Sequence, residues 1–190
     1  VINAGDCVGH HPTQTLLDLF TIRACHVTLE GLNVALVGDL RYGRTVHSLS
    51  GALARFGCSL TFISPSSLSM PQEIVQDLRD SGVSIVETDD LVGSIDNLDV
   101  IYMTRIQKER FPDEEEYRKV AGVFCLTGKD LANAKKDMII MHPLPRVNEI
   151  APDVDSTPHA KYFEQAFYGV VARMALLCRL LEVDVQEVIG

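Results

Sequence analysis

Residues 36–48, LVGDLRYGRTVHS, run from an apolar stretch through a glycine turn into a helical pattern, with Arg44 at the helix start. An apolar strand that feeds a helix through a short turn is the unit from which parallel sheets are built, so this stretch decides the fold. A cation in the first turn opposes the helix dipole, which makes Arg44 unfavourable there unless an anion shares the site. A second segment repeats the arrangement: the apolar run Leu98–Met103 ends abruptly in Arg105, Gln107, Lys108 and Arg110. Ligands of open α/β sheets bind outside the carboxyl ends of the strands, so two strand ends that carry guanidinium groups point to a small anion.

Working outward, Pro12 suits the first turn of a helix that carries Leu16, Leu17, Phe20 and Ile22. Asn33–Gly38 reads as a continuous apolar strand, Arg44–Phe56 as a helix closed by Gly57, and Ser59–Ser64 as a second strand. Pro71 opens a helix that runs to Asp80, and strands are expected at Val83–Val86, Leu98–Met103 and Met138–Met141, with Val123–Leu126 a weaker candidate. A long apolar helix is expected from about Tyr162 to Leu181. Near-continuous apolar strands separated by helices of ordinary length imply an α/β fold, a three-layer, doubly wound parallel sheet covered on both faces. Crossovers of one hand then bring the turns at Gly38–Gly43, Thr104–Lys108 and His142–Arg146 to one edge of the sheet.

The 190 residues, 46% of them apolar, suffice for one packed domain over residues 1–190. A formal net charge of −9 argues against nucleic acid or an anionic membrane as the main partner, so any anionic ligand must be held by local cations. The apolar runs are far shorter than the ~20 residues that span a bilayer, and no basic leader precedes a greasy core. The five cysteines, Cys7, Cys25, Cys58, Cys125 and Cys178, are scattered and read as buried thiols of a reducing compartment, which implies a cytoplasmic protein. A start at Val1 rather than methionine is read as the start of a fragment.

The turn G-D-L-R-Y-G-R lacks the G-x-G-x-x-G spacing of dinucleotide sites and places bulky Asp39, Arg41 and Tyr42 where a cofactor would lie, so no cofactor is expected. The histidines form no HxxxH or HExxH face, and no metal is expected either. Arg105 and Gln107 are two apart and project to one side if the strand persists, a planar fork of donors beside an amide that suits a carboxylate. A histidine before a helix is commonly a cap or a packed group, but a neutral His11 could instead donate to a polarised carbonyl, with Gln14 one turn on reaching the same ligand.

The segments INAGD-x-VG-x-HPTQTLLDLFTI, LVGDLRYGRTVHSL, YMTRIQKER and MHPLPRVNEIAPDVD together resemble the aspartate-binding domain of the aspartate carbamoyltransferase family. The resemblance covers essentially the whole chain. YMTRIQKER and HPLPR favour the aspartate branch, because the ornithine branch carries an HCLP segment and an SMG loop. It implies that His11 hydrogen-bonds the carbonyl oxygen of carbamoyl phosphate, that Gln14 binds its amide, and that backbone carbonyls around Leu144 and Pro145 hold amino groups. Arg44, Arg105 and Gln107 would bind L-aspartate. It further implies that a carbamoyl-phosphate domain is missing from these residues and that the complete enzyme is a homotrimer. A non-catalytic assembly or regulatory module and an ornithine-type transferase are the competing readings. Two departures from the family pattern are Cys7, where a glycine is usual, and Phe167-Tyr168 before Gly169.

Overall fold

The computed structural model describes residues 2–5, 10–106, 111, 113–120 and 122–183. Its elements are α1 (Pro12–Cys25), β1 (Asn33–Val37), α2 (Arg44–Ala54), β2 (Ser59–Ile63), α3 (Gln72–Asp80), β3 (Ile85–Thr88), β4 (Val100–Met103), α4 (Glu114–Val120), β5 (Ile139–Met141) and α5 (Tyr162–Leu180). The five strands form one parallel sheet in the order β3-β2-β1-β4-β5. The chain walks outward from β1 to β3, returns to lay β4 on the other side of β1, and continues to β5. The order therefore reverses between β1 and β4, whose register pairs Leu36 with Tyr102 and Val37 with Met103. A crevice at such a reversal is where doubly wound sheets bind ligands.

Strand side chains alternate between two cores. Val34, Leu36, Leu60, Phe62, Val100, Tyr102, Ile139 and Met141 face α1, α2 and α3, packing on Ile22, Leu49, Leu53 and Val75. Ala35, Val37, Ile101, Met103 and Ile140 face the opposite layer, with Ile95, Leu126, Leu131, Ile150 and Val154. Burial of the β1 and β4 side chains on both faces explains why these strands read as unbroken apolar runs.

Several expectations shift. The third strand lies at Ile85–Thr88 instead of Val83–Val86, because Gly82, with φ +83°, and the Val83 N–H bond to Leu78 still belong to the α3 exit. The second outer layer is built largely of 3-10 turns at Val92–Asn97, Asp130–Asn133 and Pro152–Ser156 instead of long helices. The weaker candidate Val123–Leu126 contributes a single bridge, Leu126 with Ile150. Four cysteines are free thiols, but only Cys58, donating to the Leu29 carbonyl at 3.1 Å, is buried; Cys25 and Cys178 are half-buried. Cys125 is exposed in the irregular approach to that bridge, and Cys7 lies outside the described residues.

β1 and β4 meet tightly at their carboxyl ends. Gly38 has φ +109°, and a Cβ there would lie 2.5 Å from the Thr104 carbonyl oxygen. The Thr104 hydroxyl donates to the Val37 carbonyl at 2.9 Å and accepts from the Asp39 N–H at 3.0 Å. A side chain at 38 would add backbone strain to a steric clash, so Gly38→Ala is expected to cost about 3 kcal/mol or more of folding free energy in chemical denaturation. A loss under about 1 kcal/mol would mean that the strand ends part easily.

Candidate functional site

The reversal point opens into a cleft of about 210 Å³ lined by His11, Gln14, Arg44, Arg105, Leu144 and Pro145, together with Asp39, Gly43, Thr45, Thr104, His142 and Pro143. Every described residue singled out from the sequence for this site lines this one cleft; Gln107 lies outside the described residues. The volume falls below the roughly 300 Å³ at which pockets for drug-sized ligands begin, so the space suits a small anion.

Each wall follows from local sequence. After β1, the Asp39 carboxylate accepts the Tyr42 N–H at 2.9 Å and closes the turn. Gly43 is the N-cap of α2, no side chain caps its first turn, and none of its first residues is acidic. The helix thus offers its positive end to the cleft while Arg44 adds a full charge. β4 stops at Met103, so Arg105 stands two residues past the strand and enters the cleft from a loop, not by strand alternation. Gly5, at φ +139°, packs against both Arg44 and His11: a Cβ there would lie 3.4 Å from Arg44 Nη1 and 3.7 Å from His11 Nδ1.

His11 sits at the N-cap of α1, but its ring caps nothing; its carbonyl accepts from Gln14 at 3.0 Å and Thr15 at 3.1 Å, and its N–H donates to Ser48 Oγ at 3.0 Å. Nδ1 is buried with no hydrogen-bond partner among the described residues. Burial first, then the positive charges of Arg44 and Arg173, push the imidazole below its usual 6.5, so the ring at neutral pH is uncharged and can serve as a hydrogen-bond partner.

The third wall is the loop after β5. The Leu144 N–H donates to His142 Nδ1 at 2.8 Å, so the ring is the Nε2–H tautomer, and that N–H donates to Glu149 Oε1 at 2.7 Å. Glu149 also accepts the Val147 N–H at 3.2 Å and the Asn148 N–H at 3.1 Å. Burial works against the Glu149 charge, yet the bonds from His142 and the backbone outweigh it and hold the carboxyl below its usual range. Leu144 adopts φ +53° before a cis peptide to Pro145, a backbone conformation rare outside glycine. Such positions gather at ligand-binding loops.

Behind the cleft lies a cluster that sequence reasoning missed. The Asp18 carboxylate, wholly buried, accepts from Gln14 Nε2 at 2.9 Å, Gln165 Nε2 at 2.7 Å and the Tyr102 hydroxyl at 2.9 Å. Gln165 Oε1 in turn accepts the His142 N–H at 2.9 Å. The signal present in the sequence was a carboxylate one turn after Gln14 on the face that also buries Ile22. Nothing local announced Gln165, which comes from the far end of the chain.

Taken together, these features define an α/β domain whose switch-point cleft is lined by two arginines, a neutral histidine and a primary amide. The chain belongs to the aspartate/ornithine carbamoyltransferase family: the model of its Asp/Orn binding domain matches residues 30–180. It is 59% identical to the aspartate carbamoyltransferase catalytic subunit of Methanocella arvoryzae over 97% of this chain and 60% of that protein. The catalytic subunit of M. jannaschii aspartate transcarbamoylase superposes with a TM-score of 0.87 at 50% identity, over 94% of this chain and 58% of that one. Aspartate transcarbamoylase from Trypanosoma cruzi, solved with carbamoyl phosphate and aspartate, gives 0.85 at 40% identity, over 92% and 58%. The chain thus spans about three fifths of the length of these relatives.

Burial lifts the Asp18 carboxyl to about 7 against the combined pull of Gln165, Tyr102 and Gln14. A carboxyl whose pKa rises on folding stabilises while protonated, and that contribution is lost as pH climbs from 3.8 through about 7. Asp18→Asn cannot titrate, so its denaturation midpoint relative to the parent is expected to improve steadily between about pH 4 and pH 7 and to level off above. A gap independent of pH would show that Asp18 keeps an ordinary pKa.

Proposed function

We propose that this chain is the aspartate-binding half of an aspartate carbamoyltransferase, which passes the carbamoyl group of carbamoyl phosphate to the amine of L-aspartate, giving N-carbamoyl-L-aspartate and phosphate for pyrimidine biosynthesis. The observation that carries this reading is the meeting of Arg44 and Arg105 in one cleft with His11 and Gln14. Two guanidiniums suit the two carboxylates of aspartate and would repel the side-chain ammonium of ornithine.

The residues divide the chemistry between them. Arg44 and Arg105, with Gln107, hold aspartate so that its α-amine faces the carbamoyl carbon. Neutral His11 donates to the carbamoyl oxygen as it takes on negative charge, and Gln14 holds the amide. Backbone carbonyls of Leu144 and Pro145 accept from the amino groups. Attack by the neutral amine on the carbamoyl carbon forms a tetrahedral intermediate, the carbon–oxygen bond to phosphate breaks, and the departing phosphate takes up the amine proton, with no covalent enzyme intermediate. Rate enhancement comes from orientation and oxyanion stabilisation.

The remaining length of the relatives supports a second domain that binds the phosphate group, and the complete enzyme is a homotrimer working in the cytoplasm. α5 carries an outward stripe of Phe163, Phe167, Val170, Met174 and Leu177, flanked on α1 by Leu16 and Phe20, all exposed in the chain alone. An apolar stripe of this extent is commonly an interface, and here its occupant is the rest of the polypeptide. No described helix is long and apolar enough to cross a membrane.

The test is an assay of carbamoyl-aspartate formation by the full-length protein and by this chain alone. The full-length protein is expected to turn over and the chain alone to form no product; product from the chain alone would contradict the division into two halves. In the full-length protein, His11→Ala is expected to lower kcat about 10²–10³-fold, and a loss below about tenfold would remove His11 from the catalytic residues. Arg105→Ala is expected to raise the KM for aspartate roughly 10- to 100-fold, while an unchanged KM would separate Arg105 from the acceptor site.

A further inference from the structure

Asp18 does not line the cleft, yet everything it touches leads there. It lies one turn after Gln14 on α1, and its Oδ1 accepts both the Gln14 amide at 2.9 Å and the Gln165 amide at 2.7 Å. Gln165, on α5, spends its own oxygen on the backbone N–H of His142 at 2.9 Å. His142 then holds the Leu144 N–H through Nδ1 at 2.8 Å. The Asp18 Oδ2 is fixed from β4 by the Tyr102 hydroxyl at 2.9 Å. One carboxylate group is thereby joined by a short run of hydrogen bonds to both the α1 wall and the β5 wall of the cleft.

We propose that Asp18 is a positioning residue, whose single carboxylate orients Gln14 on one wall and, through Gln165 and the His142 N–H, sets the His142–Pro145 loop on the other. The proposal rests on the carbamoyltransferase reading for its kinetic consequence. A buried carboxylate is an expensive way to join three elements, since an apolar residue of similar size would pack α1, β4 and α5 at lower cost. What the apolar residue cannot do is fix which end of an amide faces the cleft. Gln14 has one donor end and one acceptor end, and a partner that only accepts turns the nitrogen inward and leaves the oxygen for the ligand. Gln165 is turned the same way, which leaves its oxygen for His142. Burial holds the Asp18 carboxyl up to about 7 against the pull of Gln165, Tyr102, Gln14 and, last, Arg173 on α5, so above that pH the group is ionised and offers Gln14 only acceptors.

The two cleft regions then respond differently. Gln14 and the Leu144–Pro145 carbonyls serve the carbamoyl group, whereas Arg44 and Arg105 serve aspartate and stand outside this run of bonds. In the full-length protein, Asp18→Asn is expected to raise the KM for carbamoyl phosphate about five- to tenfold while the KM for aspartate changes less than about twofold. A merely structural defect lowers kcat by reducing the folded fraction and leaves both KM values where they were. Gln165→Leu cuts only the arm to His142 and is expected to raise the same KM about three- to fivefold, which decides the matter if Asp18→Asn fails to fold. Carbamoyl phosphate KM values within about twofold of the parent in every variant that folds would overturn the assignment. If the full-length parent forms no carbamoyl-aspartate, the function reading falls by itself. Crystal structures of the parent and Asp18→Asn then test the positioning alone: a turned Gln14 amide or a displaced 142–145 loop on unchanged helices supports it, and an unmoved site overturns it.

Discussion

The contact between Gly38 and Thr104 is the constraint on which the rest depends. β1 and β4 are neighbours only because the sheet reverses direction there, and their carboxyl ends can close only because residue 38 has no side chain. Thr104 ties the junction from both sides, donating to the last carbonyl of β1 and accepting from the Asp39 N–H of the turn that follows. With the junction closed, the turn after β1 delivers Arg44 and the loop after β4 delivers Arg105 to one small volume. A wider junction would leave two unrelated surface arginines on an acidic protein.

Around that junction the protein keeps charge in short supply and directed. The chain carries a net charge of −9, yet the cleft combines two guanidiniums with the positive end of α2. Burial first, then the charges of Arg44 and Arg173, keep His11 neutral, and a neutral imidazole can donate to an oxygen without competing for the anion. On the opposite wall Glu149 is held ionised by His142 and two backbone N–H groups, so its charge is spent inside the loop. The site therefore presents positive charge where a dicarboxylate would lie and uncharged polar groups where the carbamoyl group would lie.

Much of this was legible in the residues, and the reasons differ by element. β1, β4 and β5 could be read because strands covered on both faces must be apolar throughout, and α1 because Pro12 marks its first turn. β3 is an edge strand with Val86 and Glu87 exposed, so its pattern was weak and its placement slipped by two residues. The elements of the second layer could not be read one by one, because 3-10 turns have no long period to detect. Arg44 and Arg105 could be found because cations at strand ends are costly without a ligand. Asp18 and Gln165 could not be paired, since 147 residues separate them and only the packing of α1 on α5 brings them together.

The proposed function requires that one dicarboxylate bridge Arg44 and Arg105 across the switch-point cleft. A crystal structure of the full-length protein soaked with succinate tests it most directly. A single succinate is expected in the cleft, with one carboxylate on each guanidinium. Succinate bound elsewhere, or a cleft whose two arginines engage separate molecules, would contradict it.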